Sequence, residues 1–476
     1  MALKIIYIHQ NIICLSSCVH QCLKIDADGK PLPFSDFIRG EFLCKKRLDF
    51  LKNIDYIGIK FQISRKILNM LKRTLGLHLD KLTKSFPVIL VTGPRQVGKS
   101  TLLENFAKQK YHYVTLDDLD AREQAINDPA LFLQNHQPPV LIDEIQYAPK
   151  LFSYIKIYVD THKDQKGIFL LTGSQKFNLM QNVQESLAGR VAVLDLLGFS
   201  SDEISGRPNV PLFLPDRDWI ENCKNKKHRN KTVQDIYQDI FNGSFPRVIN
   251  EGSEIRDIYY NSYIQTYIER DVKSVYDISD MISFKNFIKA VAARTGQLLN
   301  ISDIAKDIAI DNKTAKKWLG LLEMSGLVYL LHPYYSNITN RIVKTPKIYF
   351  LDTGLCAYLT GWDSPKSLEA GAMSGAILET YVFSEILKTY WHNAKSAPIY
   401  FYRDKDKNEI DFIIEQNQTL YPIEVKKTMM PTFNAIKNFD VLKKFQKPVA
   451  NGIVLCLKPE VFYITQNCVS IPIWCI

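Results

Sequence analysis

The apolar positions of the chain change their rhythm near residue 87. Residues 1–62 show no clear periodicity, and an amphipathic helical pattern begins only at about Ile63. From Pro87 onward, short apolar runs alternate with stretches of helical spacing, the signature of an α/β domain. The runs predict strands at 87–92, 111–116, 139–143, 167–172 and 191–196, with helices between them. Residues 199–235 read as loop, with Pro208, Pro211, Pro215 and the basic run KNKKHRNK at 224–231, usually a solvated feature. Helical spacing returns from Val233 to about Lys273. Residues 284–350 then read as three helices and a strand pair, and 375–476 as a helix followed by short strands and turns. The divisions expected are an extension (1–62), an α/β core (63–198), a helical lid and linker (199–283), a middle module (284–350) and a C-terminal α/β domain (351–476).

Chemistry enters where the first strand ends. Gly93-Pro94-Arg95-Gln96-Val97-Gly98-Lys99-Ser100, followed by Thr101, fits G-x-x-x-x-G-K-[ST] at every fixed position. Backbone N–H groups of such a loop wrap a phosphate, and its two glycines permit the tight turns and the close approach. Lys99 is placed to reach the β- and γ-phosphates of ATP, Ser100 to ligate Mg²⁺, and the helix starting near Lys99 to point its positive end at the anion. Further on, Val140-Leu141-Ile142 ends in Asp143-Glu144. Asp143 is expected to hold Mg²⁺ and Glu144 to activate the attacking water, so Glu144 is the residue that argues for hydrolysis over binding alone. The next strand ends in Ser174-Gln175, and Ser174 is a candidate γ-phosphate contact. Arg190 is a candidate for a phosphate in its own or a neighbouring subunit.

Two constellations lie downstream. Ile301 to Ile308, with Ser302 as the expected N-cap, and Asp311 to Met324 read as helix, turn, helix, followed by the strand Gly326 to Leu330. This is the pattern of a winged helix-turn-helix, with Asn312, Lys313, Lys316 and Lys317 suited to phosphates or base edges. Contact with DNA and a packing role both stay open. In the last domain, Asp411 and the pair Glu424 and Lys426 fall on neighbouring strands. Side chains alternate along a strand, so Glu424 and Lys426 share a face while Val425 points to the core. Two carboxylates around a Mg²⁺ ion with a lysine beside them can cut a phosphodiester. The pattern D-x₁₂-E-x-K resembles the restriction-endonuclease-like superfamily, in which cleavage or a fold kept only for packing or binding are both open.

The runs GPRQVGKSTLL, LIDEIQYAP, LLTGSQ, SLAGR, NGSFPRVI, YIQTYIERDV, RTGQLLN, KTPKIYFLDTGL and EIDFII with PIEVK together resemble the prokaryotic AAA-type ATPases that carry a C-terminal domain of unknown function. The similarity runs from about Ile63 to the C-terminus. It implies a P-loop NTPase with an AAA-like parallel sheet, ATP and Mg²⁺ as cofactors, ATP hydrolysis, and Glu379 as a third acidic ligand of the C-terminal site.

Composition narrows the setting. The net charge of +10 is compatible with DNA without requiring it. Nine cysteines, an odd number without regular pairing, are expected as reduced thiols in a cytoplasm. The spacing of Cys14, Cys18 and Cys22 fits no standard metal site. The segment Ile5 to Val19 is too short and too polar to span a bilayer, so no membrane is expected. A homo-oligomer or a protein partner is compatible with the sequence. The alternative to an ATPase is a nucleotide-dependent regulator that binds DNA or a partner and carries an inactive nuclease-like domain.

Overall fold

Val88 to Thr92 are buried at all five positions, and the reason is a sheet covered on both faces. A computed structural model describes residues 71–476 apart from 109, 175–178, 180–182, 184, 226–230, 269–279, 338–340 and 343. The helical pattern expected from Ile63, the Cys14–Cys22 cluster, Gln175 and most of the 224–231 run lie outside the described residues.

Strands β1 (Val88–Thr92), β2 (His112–Thr115), β3 (Val140–Asp143), β4 (Phe169–Gly173) and β5 (Val191–Asp195) form a parallel sheet in the order β2-β3-β4-β1-β5. Each lies within two residues of its expected bounds. Val88 and Leu90 pack with Phe132, Phe152 and Ile155 on one face. Ile89 and Val91 pack on the other with Leu79 of helix α1 (Gly76–Ser85) and Leu103 of α2 (Lys99–Ala107). The inner strands β1, β3 and β4 of a sheet clad in this way have no solvated face, which is why they read as apolar runs, whereas edge strand β2 exposes His112 and Tyr113.

The stretch expected as loop after β5 holds two helices. A capping box at Ser200 and Glu203 starts Ser201–Ile204, and a second helix spans Arg217–Asn225. The prolines that signalled a loop are confined to the segment between them. Helix α3 (Val233–Asn242) stops at Gly243, and α4 (Pro246–Glu251) follows with proline at its first turn. The middle module has α5 (Met281–Ala292), α6 (Ile301–Asp307) and α7 (Asn312–Met324). Strands β6 (Gln297–Leu298), β7 (Val328–Leu331) and β8 (Lys347–Phe350) form an antiparallel sheet, β6-β8-β7. The cap of α6 is Asn300, not Ser302, because the Asn300 side chain accepts the Asp303 N–H and Ser302 already lies inside the helix.

Helix α8 (Ser374–Trp391) opens the C-terminal domain and is buried along most of its length. Strands β9 (Ile399–Arg403), β10 (Glu409–Gln416) and β11 (Thr419–Lys426) form the expected antiparallel meander. Strands β12 (Gly452–Cys456), β13 (Phe462–Thr465) and β14 (Cys468–Pro472) extend it to a mixed six-stranded sheet, β13-β14-β12-β11-β10-β9. One apolar cluster runs from Leu75 to Ile476 through all of these parts. Among the described residues no helix is long and apolar enough to cross a membrane.

Candidate functional site

Residues 93–98 leave the carboxyl edge of β1 and turn into α2. Gly93 adopts φ +140°, and a Cβ there would sit 2.0 Å from the Leu196 carbonyl oxygen, so only glycine lets the loop pass. Gly98 caps α2 in the left-handed region at φ +95°. Lys99 is buried and spans the loop from its last turn to its first. Its Nζ donates to the carbonyl oxygens of Gly93 at 3.0 Å and Pro94 at 2.8 Å. Arg95, Gln96 and Val97 complete the turn, and Ser100 and Thr101 begin the helix.

Strand β4 lies between β1 and β3, so its carboxyl end meets both the loop and the acidic pair. Ser100 Oγ donates to Asp143 Oδ1 at 2.8 Å. Thr172 Oγ1 donates to the same oxygen, and Tyr113 OH donates to Oδ2 at 3.3 Å. Burial first, then the Asp143 and Glu104 carboxylates, push the Tyr113 phenol up to about 12, so it remains a donor. Glu144 turns outward through a left-handed residue at φ 56°, and its N–H donates to Thr172 Oγ1 at 3.1 Å. Its carboxylate accepts from Gln146 Nε2 and from Ser174 Oγ at 3.3 Å. A hydroxyl and a carboxylate oxygen side by side next to an anion-wrapping loop form a hard-oxygen set that suits Mg²⁺.

Arg190 is not part of this cradle in its own chain. It precedes β5, and β5 runs parallel to β1, so Arg190 lies at the amino edge of the sheet while the loop lies at the carboxyl edge. Its guanidinium forms a two-pronged pair with Asp160, at 2.6 and 3.1 Å.

The C-terminal constellation also assembles. Asp411 on β10 and Glu424 on β11 are buried neighbours: Val425 N–H donates to Asp411 Oδ2 at 2.8 Å and Asp411 N–H to Glu424 Oε2 at 3.4 Å. Lys426 Nζ lies 2.5 Å from Glu424 Oε1 and 3.7 Å from Asp411 Oδ2. Burial, and then the Asp411 charge, push the Glu424 carboxyl above its usual range. Two buried carboxylates on adjacent strands are hard oxygen donors of the kind a divalent cation takes.

Glu379, the expected third ligand, lies near the pair, since burial and then the Asp411 charge push its carboxyl up, but its hydrogen bonds go elsewhere. Its Oε1 accepts from Lys347 Nζ at 3.0 Å and Tyr349 OH at 2.5 Å, both on β8, and Lys347 also pairs with Glu409 at 2.6 Å. A lysine only 2% exposed requires such carboxylates, since its charge is otherwise stranded in a medium of low polarity. Among the described residues no three His, Cys, Asp or Glu side chains converge in a way that could hold a metal ion. Lys347, Tyr349, Thr172, Tyr113 and Gln146 were not singled out by sequence. Each depends on which strands lie side by side, although the apolar spacing around Lys347 and Tyr349 does mark a strand.

The chain is 28% identical over 365 residues to an uncharacterized protein of Mycobacterium tuberculosis, with 76% of this chain and 75% of the relative covered, and equally to one of Mycobacterium bovis. Among solved structures it is similar to a Walker-type ATPase of Pyrococcus abyssi (TM-score 0.40, 14% identity, 61% of this chain and 96% of that one). It is also similar to AMPPCP-bound DnaA of Aquifex aeolicus (TM-score 0.25, 16% identity, 52% and 85%). Two domains of unknown function match residues 233–366 (DUF8612) and 374–476 (DUF4143). Residues 85–205, which hold the loop, Asp143 and Glu144 on a parallel α/β sheet of P-loop NTPase type, match the AAA domain.

Proposed function

We propose that the chain is an AAA-type ATPase that hydrolyses ATP with Mg²⁺ at the Gly93–Thr101 loop. The observation that carries this reading is the contact of Ser100 Oγ with Asp143 at 2.8 Å, with Glu144 next in sequence and held by Ser174. Lys99 and the loop N–H groups bind and orient the triphosphate, Ser100 and Asp143 would hold Mg²⁺, and Glu144 takes a proton from the attacking water. A Mg²⁺ ion held there would supply neutralisation of charge on the phosphate oxygens. Ser174 and Gln146 fix the Glu144 carboxylate, so its aim does not depend on a mobile side chain. Lys99→Ala should abolish ATP binding measured by calorimetry; undiminished affinity would refute the assignment.

The finer reading is that 284–350 act as a winged-helix module and 351–476 as a restriction-endonuclease-like domain, so that nucleotide state is coupled to DNA in a cytoplasmic protein. Its support is the Asp411, Glu424 and Lys426 group on adjacent strands and the lysines of α7. Asp411 and Glu424 would hold the divalent ion of a cleavage site, with Lys426 beside it. Metal-dependent nicking of DNA by the wild type, lost in Asp411→Ala and Lys426→Ala, is the expected result, whereas equal nicking by all three would mark a contaminant. A second reading, a nucleotide-dependent regulator with an inactive nuclease-like domain, is favoured by the diversion of Glu379 onto Lys347. Any role of Arg190 at a phosphate would be toward a neighbouring copy in a homo-oligomer.

A further inference from the structure

The Gly93–Ser100 loop is gripped from outside its own motif. Arg73, in the segment before α1, is buried. Its NH1 donates to the Val97 carbonyl at 3.2 Å, and its NH2 donates to the carbonyls of Leu197 at 2.5 Å and Gly198 at 3.3 Å. Its Nε faces Glu203 Oε2 at 3.3 Å, and the guanidinium lies over the Phe199 ring at 4.5 Å. Glu203 is fully buried and accepts from the N–H groups of Thr74 at 2.7 Å and Ser200 at 2.9 Å. Beyond it stands His392, which ends α8. The His392 Nε2 accepts from the Leu197 N–H at 3.3 Å, and its Nδ1 lies 3.3 Å from Glu203 Oε1.

We propose that Arg73 is a positioning residue of the phosphate cradle and that His392, from the C-terminal domain, completes its setting. The Val97 carbonyl and the Gly98 N–H belong to one planar trans peptide and point in opposite directions. Anchoring the Val97 oxygen on Arg73 therefore fixes the aim of the Gly98 N–H, one of the donors that a phosphate-wrapping loop must converge. The desolvation of a guanidinium is costly, and here it is offset by a carboxylate and three carbonyls that belong to the loop and to the segment after β5. Arg73 and His392 both lie outside residues 85–205, so the AAA match assigns neither of them a role. The inference rests on the reading of the loop as a nucleotide cradle.

The test compares nucleotide affinity and steady-state hydrolysis of the full chain with those of Arg73→Lys, His392→Ala and His392→Gln. A lysine keeps the charge but cannot serve Val97, Leu197 and Glu203 together. In Arg73→Lys the ATP Kd and KM are expected to rise about ten-fold while kcat holds, the mark of a contact made equally in ground and transition states. His392→Ala should shift the same quantities in the same direction by a smaller factor. His392→Gln, whose amide can accept from Leu197 and donate to Glu203, should restore them. A purely structural role would lower the melting temperature and leave KM of the folded protein unchanged. Should Arg73→Lys not fold, the two His392 variants carry the test. Wild-type affinity in the folded Arg73→Lys and His392→Ala proteins overturns the inference. A wild type that binds no nucleotide overturns the reading of the loop instead.

Discussion

Thr172 joins the two acidic residues of the proposed nucleotide site without carrying a charge of its own: its hydroxyl donates to Asp143 and accepts the Glu144 N–H. Thr172→Val keeps the shape and removes both bonds, leaving Glu144 N–H unpaired. The expected loss is about 1–2 kcal/mol in the chemical step, or about ten-fold in kcat, with ATP Kd within about two-fold of wild type. A variant with wild-type kcat would show that this hydroxyl does not align the pair. Asp143 and Glu144 were legible because an apolar run ending in two carboxylates is a local pattern. Thr172 was not, since its meaning comes from β4 lying between β1 and β3. The same holds for Arg73, whose partners at Val97, Leu197 and Glu203 are remote in sequence.

Elements are legible in the sequence where burial is periodic and less so where caps and neighbours decide. In α7 the buried residues include Ala315, Trp318, Leu319 and Leu322, which recur at helical spacing. Asp352, by contrast, draws together three parts of the fold through four hydrogen bonds. It accepts the Leu355 N–H at 2.8 Å as an N-cap, Ser244 N–H and Oγ at 2.7 and 2.8 Å, and Tyr260 OH at 2.9 Å. Asp352→Ala removes a cap and leaves buried donors unpaired, so it should cost about 3 kcal/mol, read as a lower urea midpoint with an unchanged slope. A loss below about 1 kcal/mol would mean that water or a neighbouring carbonyl replaces the carboxylate. Glu385, on the buried α8, has the partners a buried carboxylate needs, Lys388 at 2.7 Å and the Ser201 N–H at 2.8 Å. That these partners tie α8 to the segment after β5 was beyond any local pattern.

Helix α8 is where the C-terminal mixed sheet meets the parallel α/β core, and His392 gives that contact a pH dependence. Burial pushes its imidazole below the usual range against the pull of Glu203, with Arg73 and Lys388 also facing it. The folded protein therefore keeps His392 neutral where the unfolded chain, below about pH 6.5, takes up a proton. Its contribution to stability is full above that pH and falls as the pH drops below it. His392→Gln should flatten the fall in urea midpoint below about pH 6.5; an unaltered slope would place the titration elsewhere. Removal of residues 1–62 should leave hydrolysis intact, because every residue assigned to the nucleotide site lies beyond them, and an insoluble or inactive truncation would contradict this. Hydrolysis of ATP at the loop and Glu144 is read out by steady-state ADP release from the full chain with Mg²⁺. Turnover by the wild type, none by Glu144→Gln, and retained ATP binding in that variant are expected. Equal turnover by wild type and Glu144→Gln, or binding without turnover in both, would contradict hydrolysis at this site.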